Sequence, residues 1–247
     1  ASSGAPNEAQ IHINQTYGLD TGDKAIGDLL RTRDFRRALS LGIDRTEINE
    51  TFFLGMGQER AFVPSSGTVY YPGEKWEKLY AVRDVAEANK LLDGIGLTEK
   101  DVDGFRLKPG STDPLTLHFD IREGKIVDFG LVAELVIKHW ADLGIKGTYK
   151  TSRTAHKIIQ ANDGYLSFGG GGKGWSPWIG WEAGIVPLIA TWSSGILIGT
   201  YVETDGAQGV SPTDPRFKNP EGEFPFQKIL DLYAAGKGYP MFSPDRT

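Results

Sequence analysis

The chain has 247 residues, of which 39% are hydrophobic and 24% charged, and its formal net charge is −5. These proportions are typical of a globular protein of one large or two small domains, and the mild negative charge argues against a nucleic-acid partner. The absence of cysteine from the sequence excludes disulfides and thiolate chemistry, and no apolar run in it reaches the length of a membrane-spanning helix.

The first half of the chain predicts one strand followed by several helices. Apolar and polar residues alternate over residues 11–17, which is typical of a strand. A loop and a short helix are expected over residues 20–31, and a helix with one apolar face over residues 33–41. Asp44 and Asp84 precede two further helices as caps, the first spanning residues 45–54. Residues 57–71 contain Pro, Ser and Gly and predict a loop.

The second half of the chain predicts strands at residues 115–122, 145–150 and 164–168, with helices at 126–143 and 152–161 between them. This alternation favours an α/β sheet with crossover helices. A buried helix followed by a loop is expected over residues 183–198, and a long surface loop over 205–223. The last predicted helix, residues 224–235, places Ile229, Leu232 and Tyr233 inward.

A glycine-rich and tryptophan-rich segment follows the strand at residues 164–168. Four consecutive glycines, residues 169–172, allow the backbone to approach a ligand closely. Tryptophan side chains offer broad apolar faces with a polar tip. The segment therefore predicts the wall of a binding cleft, and the alternative is a glycine loop folded over a Trp-rich core. The candidate ligand contacts are Gly170, Gly171, Gly172, Lys173, Trp175, Trp178 and Trp181. Tyr70 and Tyr71 are weaker candidates for the lining of the cleft.

Motifs for catalysis, metals or cofactors are not evident in the sequence. The glycines satisfy G-x-G-x-x-G, but Pro177 and the tryptophans follow where a dinucleotide site needs a helix. The histidines His12, His118, His139 and His156 lack metal-ligand spacing, and no nucleophile elbow occurs. His118, on an alternating strand, is expected to be structural. Near the tryptophans, Glu182 is the one carboxylate that a glycosidase could use, whereas a glycosidase needs two. We therefore expect a binding protein with no cofactor and no metal.

Three blocks of the sequence resemble family 5 extracellular solute-binding proteins. They are residues 33–57 (RDFRRALSLGIDR, then EIN and FLGMG), residues 84–106 (DVAEANKLLDGIGL, then DGFR) and residues 134–145 (ELVIKHWADLGI). These proteins are the oligopeptide-, dipeptide-, nickel- and glucoside-binding components of ABC importers. The resemblance covers residues 11–235, and the blocks together are specific although each alone is weak.

The resemblance implies a periplasmic-binding-protein-like type II lobe, an α/β fold with a mixed sheet flanked by helices. In this family two lobes trap ligand when a hinge closes, and this chain resembles the second, C-terminal lobe alone. We therefore expect residues 1–247 to form a single domain, with residues 1–10 as a flexible lead-in. A helix start at Ser243 and Pro244, at the end of the chain, suggests a piece of a longer protein. The implied partners are the first lobe, a membrane permease and a peptide or oligosaccharide, all outside the cytoplasm.

One position departs from the peptide-binding members of the family. Aligned on Pro177, Lys173 stands where those members carry an Asp that pairs with the ammonium group of the peptide. A cation there repels an ammonium group. The departure favours an oligosaccharide stacked on tryptophans, or a ligand carboxylate facing Lys173. Two other classes stay open: a carbohydrate-active enzyme with a second carboxylate facing Glu182, and a protein-interaction domain using the aromatic loop.

Overall fold

A computed structural model describes residues 9–61, 63, 66, 71–123, 127–169, 186–191 and 194–237. The strands are β1 (Gln10–Ile13), β2 (Thr116–Arg122), β3 (Lys146–Ser152) and β4 (Leu166–Gly169). The helices are α1 (Lys24–Arg31), α2 (Arg33–Gly42), α3 (Arg45–Phe53), α4 (Glu74–Lys78), α5 (Val85–Gly94), α6 (Phe129–Ala141), α7 (Ala155–Gln160), α8 (Ile196–Glu203) and α9 (Pro225–Lys237), with a 3-10 helix at Pro215–Phe217. None of the helices in these ranges is long and apolar enough to cross a membrane.

The four strands form one mixed sheet in the order β1-β4-β2-β3. Strand β2 pairs in parallel with β3 from Thr116 opposite Lys146 to the ends of both strands, and in parallel with β4 where Phe119 lies opposite Leu166. Strand β1 pairs antiparallel with β4. Helix α6 connects β2 to β3, and α7 connects β3 to β4. The predicted α/β sheet with crossover helices is therefore confirmed.

The main core extends from the layer between the sheet and α6 to the buried faces of α1, α2 and α5. Because side chains alternate along a strand, Leu117, Phe119 and Ile121 point to the same face of β2, and all three are buried. The Phe119 ring stacks on Trp140 of α6, with ring centroids 5.4 Å apart. Val136 of α6 is also buried. The apolar face predicted for this helix thus covers the sheet, and Gly144, in the left-handed region at φ +72°, follows its end.

The helices of the family blocks begin at the predicted caps. The Asp44 carboxylate accepts a hydrogen bond from the backbone N–H of Glu47 at 3.0 Å at the start of α3. The Asp84 carboxylate accepts from the N–H of Glu87 at 2.9 Å at the start of α5. These caps satisfy N–H groups that have no partner within their own helix. Leu54, with φ +53°, ends α3 in the left-handed region next to the predicted stop.

Helix α6 is bonded to both α2 and α3. The indole N–H of Trp140 donates to the carbonyl of Leu39 in α2 at 2.9 Å. Nε2 of buried His139 lies 2.7 Å from a carboxylate oxygen of Glu47 in α3, and its Nδ1 accepts from the N–H of Asp44 at 3.3 Å. The hydrogen bond from His139 lowers the pKa of Glu47, with a smaller contribution from Lys138 nearby. These contacts connect residues 33–57, the first block that resembles the family, to the third block, residues 134–145, in the core.

A buried arginine, Arg106, connects the end of α5 to the end of α6. Only 1% of Arg106 is exposed. Its Nε donates to the carbonyl of Leu143 at 2.8 Å, one terminal nitrogen donates to Asp93 at 2.6 Å and to the carbonyl of Leu97, and the other donates to Asn89 at 2.7 Å. We call this set the Arg106 hub. The hub supplies donors to two backbone carbonyls, those of Leu97 and Leu143, which lie in turns outside any helix or strand.

Three expectations for the last third of the chain need correction. Residues 186–191 are not helical, and α8 begins later, at Ile196, because Pro187 lacks an amide hydrogen and Gly195 precedes the helix. Leu232 is 63% exposed, since α9 buries Phe226 and Tyr233 instead, seven residues apart on one helical face. The 205–223 loop is not wholly at the surface. Its Val210 and Phe217 pack with Ile198 and Phe226 in a second, smaller apolar cluster.

Candidate ligand-binding edge of the sheet

The parallel strands end together at one edge of the sheet. Strands β2, β3 and β4 finish at Arg122, Ser152 and Gly169 respectively. Gln10, at the start of antiparallel β1, lies opposite Gly169. Ligands of open α/β sheets bind beyond the carboxyl ends of the strands. The chain after Gly169 starts at this edge, so the glycine-rich segment leaves the sheet where a ligand is expected.

The predicted contact residues themselves lie outside the described part of the chain. Gly170, Gly171, Gly172, Lys173, Trp175, Trp178 and Trp181 all fall within residues 170–185, as does Glu182. Their roles therefore stay predictions. What the structure provides is the framework on both sides of this segment: β4 before it, and residues 186–191 and 194–203 after it.

Strand β4 is fixed from the α6 side by stacked aromatic rings. The Phe168 ring lies 5.2 Å from that of Phe119 and 5.3 Å from that of Phe129, centroid to centroid. Through Phe119 the stack continues to Trp140. Offset-stacked rings at these separations stabilise beyond the area that they bury. The residue next to the glycine segment is thus held by the core.

Behind the start of β4, three polar side chains form a buried cluster. Asn14, Thr16 and Asn162 are 0%, 0% and 4% exposed. The Asn14 amide donates to Asn162 Oδ1 at 2.8 Å and to the carbonyl of Gly164 at 3.1 Å, and the Asn162 amide donates to the carbonyl of Thr16 at 3.2 Å. The Thr16 hydroxyl lies 2.7 Å from Asn14 Oδ1 and 2.9 Å from Asn162 Oδ1. We call these three residues the amide cluster.

The amide cluster also reaches the chain that follows the glycine segment. The Thr16 hydroxyl accepts from the N–H of Leu197, in the first turn of α8, at 3.3 Å. The N–H of Gln15 donates to the carbonyl of Ser194 at 3.0 Å. Gly195, the cap of α8, has no side chain to satisfy that turn. A residue from the other end of the chain therefore caps α8.

Sequence reasoning missed the amide cluster. Asn14 and Thr16 fall within a predicted strand, where a polar residue usually faces solvent. The Asn162-Asp163-Gly164 run after a helix was an available signal, because Asn readily adopts the left-handed conformation that Asn162 has at φ +61°. That signal predicts a turn, but not the residues that the turn contacts.

A buried acid lies on the face of β2 opposite α6. Asp120 is 7% exposed, and burial raises its pKa, against the smaller opposing effect of His118 and Lys150. His118 Nε2 is 3.8 Å from the Asp120 carboxylate, and its Nδ1 is 2.8 Å from the Thr148 hydroxyl. These contacts fit the structural role expected for His118. Among the described residues, no group of three or more His, Asp or Glu side chains could hold a metal ion.

Tyr71, a weaker candidate for the cleft, is bonded to a buried carboxylate. Glu77 of α4 is 5% exposed and accepts from the Tyr71 hydroxyl at 2.5 Å and from the Gln58 amide at 2.7 Å. The Arg60 guanidinium lies 3.5 Å from the same carboxylate. The hydroxyl of Tyr71 thus connects the 57–71 loop to α4, while Tyr70 is outside the described residues.

An open cleft lies away from the carboxyl edge. It has a volume of about 730 Å³ and is lined by residues 95–99 and 107–112. The second stretch leads into the amino end of β2, so the cleft lies at the opposite end of the strands. Its one amine, Lys108, is paired with Asp23 at 3.0 Å, and its lining contains no aromatic residue. This cleft does not have the stacking surfaces that the sequence predicts for the ligand.

The family model for the middle part of bacterial extracellular solute-binding proteins, family 5, matches residues 6–186. The chain belongs to this family. The resemblance given by residues 33–57, 84–106 and 134–145 is therefore confirmed. Part of the chain is also similar to the periplasmic alpha-galactoside-binding protein of Rhizobium meliloti (strain 1021). The two are 35% identical over 103 residues, which is 38% of this chain and 14% of that protein.

Solved structures of the family share the fold. The oligopeptide-binding protein OppA aligns with 94% of this chain at a TM-score of 0.74 and 24% identity. MelB of Agrobacterium fabrum C58, a periplasmic binding protein in complex with stachyose, aligns with 96% of this chain at a TM-score of 0.69 and 19% identity. The expected type II periplasmic-binding-protein-like α/β fold, with a mixed sheet flanked by helices, is thus confirmed. The chain spans 36% of OppA and 34% of MelB, about a third of the length of each.

Proposed function

We propose that this chain is the second, C-terminal lobe of a two-lobed solute receptor that delivers a peptide or an oligosaccharide to the membrane permease of an ABC importer. The family match supports this, as does the alignment of nearly the whole chain with about a third of OppA. The remainder of such a receptor is the first lobe. Its place is extracytoplasmic, in line with the periplasmic name of the Rhizobium relative.

The observation that carries the proposal is the position of β4. It ends at the carboxyl edge of the sheet, directly before residues 170–185. In the proposed site the backbone of Gly170, Gly171 and Gly172 approaches the ligand and Lys173 provides a cation. Trp175, Trp178 and Trp181 provide stacking faces. Apolar and aromatic burial supplies affinity there, and a few polar groups set the orientation of the ligand.

An oligosaccharide is the preferred ligand. Lys173 stands where, by the family resemblance, peptide-binding members carry an acid for the ammonium group, and a cation there is unfavourable for such a peptide. The two relatives with sugars in their names, an alpha-galactoside-binding protein and MelB with stachyose, point the same way. The likeness to OppA keeps peptides as the second ligand class.

The mechanism is capture without covalent chemistry. The two lobes exchange between open and closed arrangements, and ligand shifts the population towards the closed one, which the permease then recognises. An enzyme acting on carbohydrate is the alternative and would turn the bound sugar over. A pure protein-interaction domain is a further alternative and would bind neither sugar nor peptide.

The test uses the full two-lobed protein, titrated with stachyose and, separately, with a tripeptide that has a free amino terminus. Binding is followed by tryptophan fluorescence and calorimetry. We expect stachyose to bind and to be recovered unchanged, with Trp178→Ala weakening its affinity by about tenfold or more, since the stacking of one ring is worth on the order of 1–2 kcal/mol. Trp76→Ala is the matched control, because Trp76 is a half-exposed tryptophan on α4, outside the proposed site.

Each other outcome rejects a stated part of the proposal. Tight binding of the tripeptide with no response to stachyose would show that the interpretation of Lys173 is wrong. Release of galactose or sucrose from bound stachyose would make the enzyme class the better one. Failure of both ligands, together with stable binding of another protein, would favour the interaction domain.

A further inference from the structure

The segment proposed to bind ligand is flanked by two stretches of described chain. Before it, β4 runs from Leu166 to Gly169. After it come residues 186–191 and then the start of α8. The entropic cost of ordering a segment that binds ligand depends on where its two ends are held.

The upstream flank is held by Asn14. Its side-chain amide donates to the carbonyl of Gly164 at 3.1 Å, and its backbone N–H donates to the carbonyl of Tyr165 at 2.8 Å. Both acceptors come directly before β4. At roughly 3.3 Å per residue, the four residues of β4 carry this constraint about 10 Å to the edge of the sheet.

The downstream flank is held through Thr16, whose hydroxyl accepts from Leu197 N–H at 3.3 Å. Residues 186–191 are packed on α8 in turn. The N–H of Ala190 donates to the Glu203 carboxylate at 2.7 Å. A Cβ on Gly199 would lie 2.0 Å from the carbonyl oxygen of Ile189, so only glycine permits this approach.

We propose that the amide cluster, Asn14, Thr16 and Asn162, is a positioning element for the ligand-binding segment: it fixes the two flanks of residues 170–185 relative to each other. This inference rests on the proposed function, in which that segment binds the ligand. Asn162 joins the two sides, because its side-chain oxygen accepts from Asn14 and its amide donates to the carbonyl of Thr16. Preorganised flanks reduce the ordering cost that ligand binding must overcome.

The chemistry of the cluster favours geometry over stability as its main role. Apolar side chains of the same shape would fill this buried space at little cost, because replacing both partners of a buried hydrogen bond by apolar groups is close to neutral. The directional bonds of two amides and a hydroxyl, in contrast, specify one relative position of β1, β4 and α8. A buried polar group also penalises any shift that leaves it without a partner.

The test compares Thr16→Val with Thr16→Ser in the full two-lobed protein. Valine keeps the shape of threonine and removes the hydroxyl, whereas serine keeps the hydroxyl. Ala88→Gly is the control for general destabilisation, since Ala88 is buried in α5, which packs against α2. Asn162→Gly is a second variant that keeps the positive φ and removes the amide, in case Thr16→Val folds poorly.

Two readouts separate positioning from stability. The first needs no ligand: hydrogen–deuterium exchange of the amides of Gln15 and Leu197 and of β4. We expect Thr16→Val to speed exchange selectively at these sites, and Thr16→Ser and Ala88→Gly to leave them unchanged relative to the rest of the core. The second is stachyose affinity, expected to fall about tenfold in Thr16→Val and to stay within about twofold in the serine and control variants.

An even rise of exchange across the molecule in Thr16→Val, with stachyose affinity unchanged, would overturn the inference and leave the cluster a stability element. A wild-type protein that does not bind stachyose would reject the sugar proposal alone, since the exchange readout still decides whether the cluster holds the flanks. Selective exchange in both Thr16→Val and Asn162→Gly supports the inference independently of the ligand.

Discussion

The Arg106 hub and the amide cluster are two buried polar centres that differ in charge and in the sequence separation of the residues that they connect. The hub is a cation whose bonds reach residues 9 to 37 positions away in the sequence. The cluster is neutral, and its bonds to Asn162, Gly164 and Leu197 span 146 to 181 positions. A buried charge demands partners, so it makes a firm local connection. Neutral amides join distant parts of the chain without introducing a charge into the core.

The comparison predicts that the Arg106 hub mainly affects the free energy of unfolding and that the amide cluster mainly affects ligand affinity. The hub stabilises turns beside the amino end of β2, where the carbonyl of Arg106 accepts from the N–H of Leu115 at 2.7 Å. The cluster lies between the flanks of the proposed ligand-binding segment. Loss of the hub should therefore lower stability most, and loss of the cluster should lower affinity most.

The largest effect is expected from Arg106→Met. The variant keeps an apolar stem but leaves the carbonyls of Leu97 and Leu143 and the amide of Asn89 without their donor. We expect a loss of about 3 kcal/mol in the free energy of unfolding, measured by urea denaturation. Stachyose affinity should be unchanged at temperatures where the protein is folded.

Arg106→Lys is the control for charge. Lysine keeps the cation, but it lacks the planar fork that reaches several acceptors at once, so an intermediate loss of stability is expected. An affinity loss in Arg106→Met as large as that in Thr16→Val would contradict the separation of the two centres.

A smaller effect is expected from the backbone of Asn162. Asn162→Ala and Asn162→Gly remove the same side-chain hydrogen bonds, but only alanine must adopt φ +61° with a Cβ. We expect the alanine variant to be less stable than the glycine variant by about 1 kcal/mol. Urea midpoints of the pair measure this strain, and equal midpoints would show that the turn relaxes in the variants.

The smallest effect is expected from Asp120→Asn. Asp120 is a buried acid that, among the described residues, lacks a set of hydrogen-bond partners like that of Arg106. Burial raises the pKa of Asp120, so the folded protein holds its proton more tightly than the unfolded chain does. Stability therefore falls as pH rises from the ordinary pKa of the carboxyl through the raised one. Asn should be more stable than Asp at pH 7 and equal at pH 3 in thermal unfolding. Equal curves at both pH values would mean that His118 and Lys150 compensate the burial fully.

Several helices could be predicted because their signals are local. Asp44 and Asp84 are predicted as helix caps and are the N-caps of α3 and α5 in the structure. The apolar face of α6 follows from the spacing of its hydrophobic residues. Helix α8 could not be placed, because the apolar run around it hides the break made by Pro187 and Gly195. The helix propensity of the apolar residues there is overridden by the helix-breaking residues Pro187 and Gly195.

The candidate site could be predicted only as residue types in one segment. Lys173 and the tryptophans are visible in the sequence, and the structure supplies the edge at which their segment begins. The amide cluster was not predictable. Asn162 lies more than 140 residues from Asn14 and Thr16, and no local pattern indicates which polar side chains of the turn after β1 and of the α7–β4 turn will meet.

Strand β1 has a consequence for how the protein is made. It pairs only with β4 among the described strands, and Ile13 and its partner Leu166 are separated by more than 150 residues. At a synthesis rate of roughly 5–20 residues per second, β1 is synthesised about 8 to 30 seconds before its partner. In that interval β1 offers an unpaired edge to neighbouring chains. Shielding of β1 until Leu166 is synthesised would therefore limit its pairing with neighbouring nascent chains.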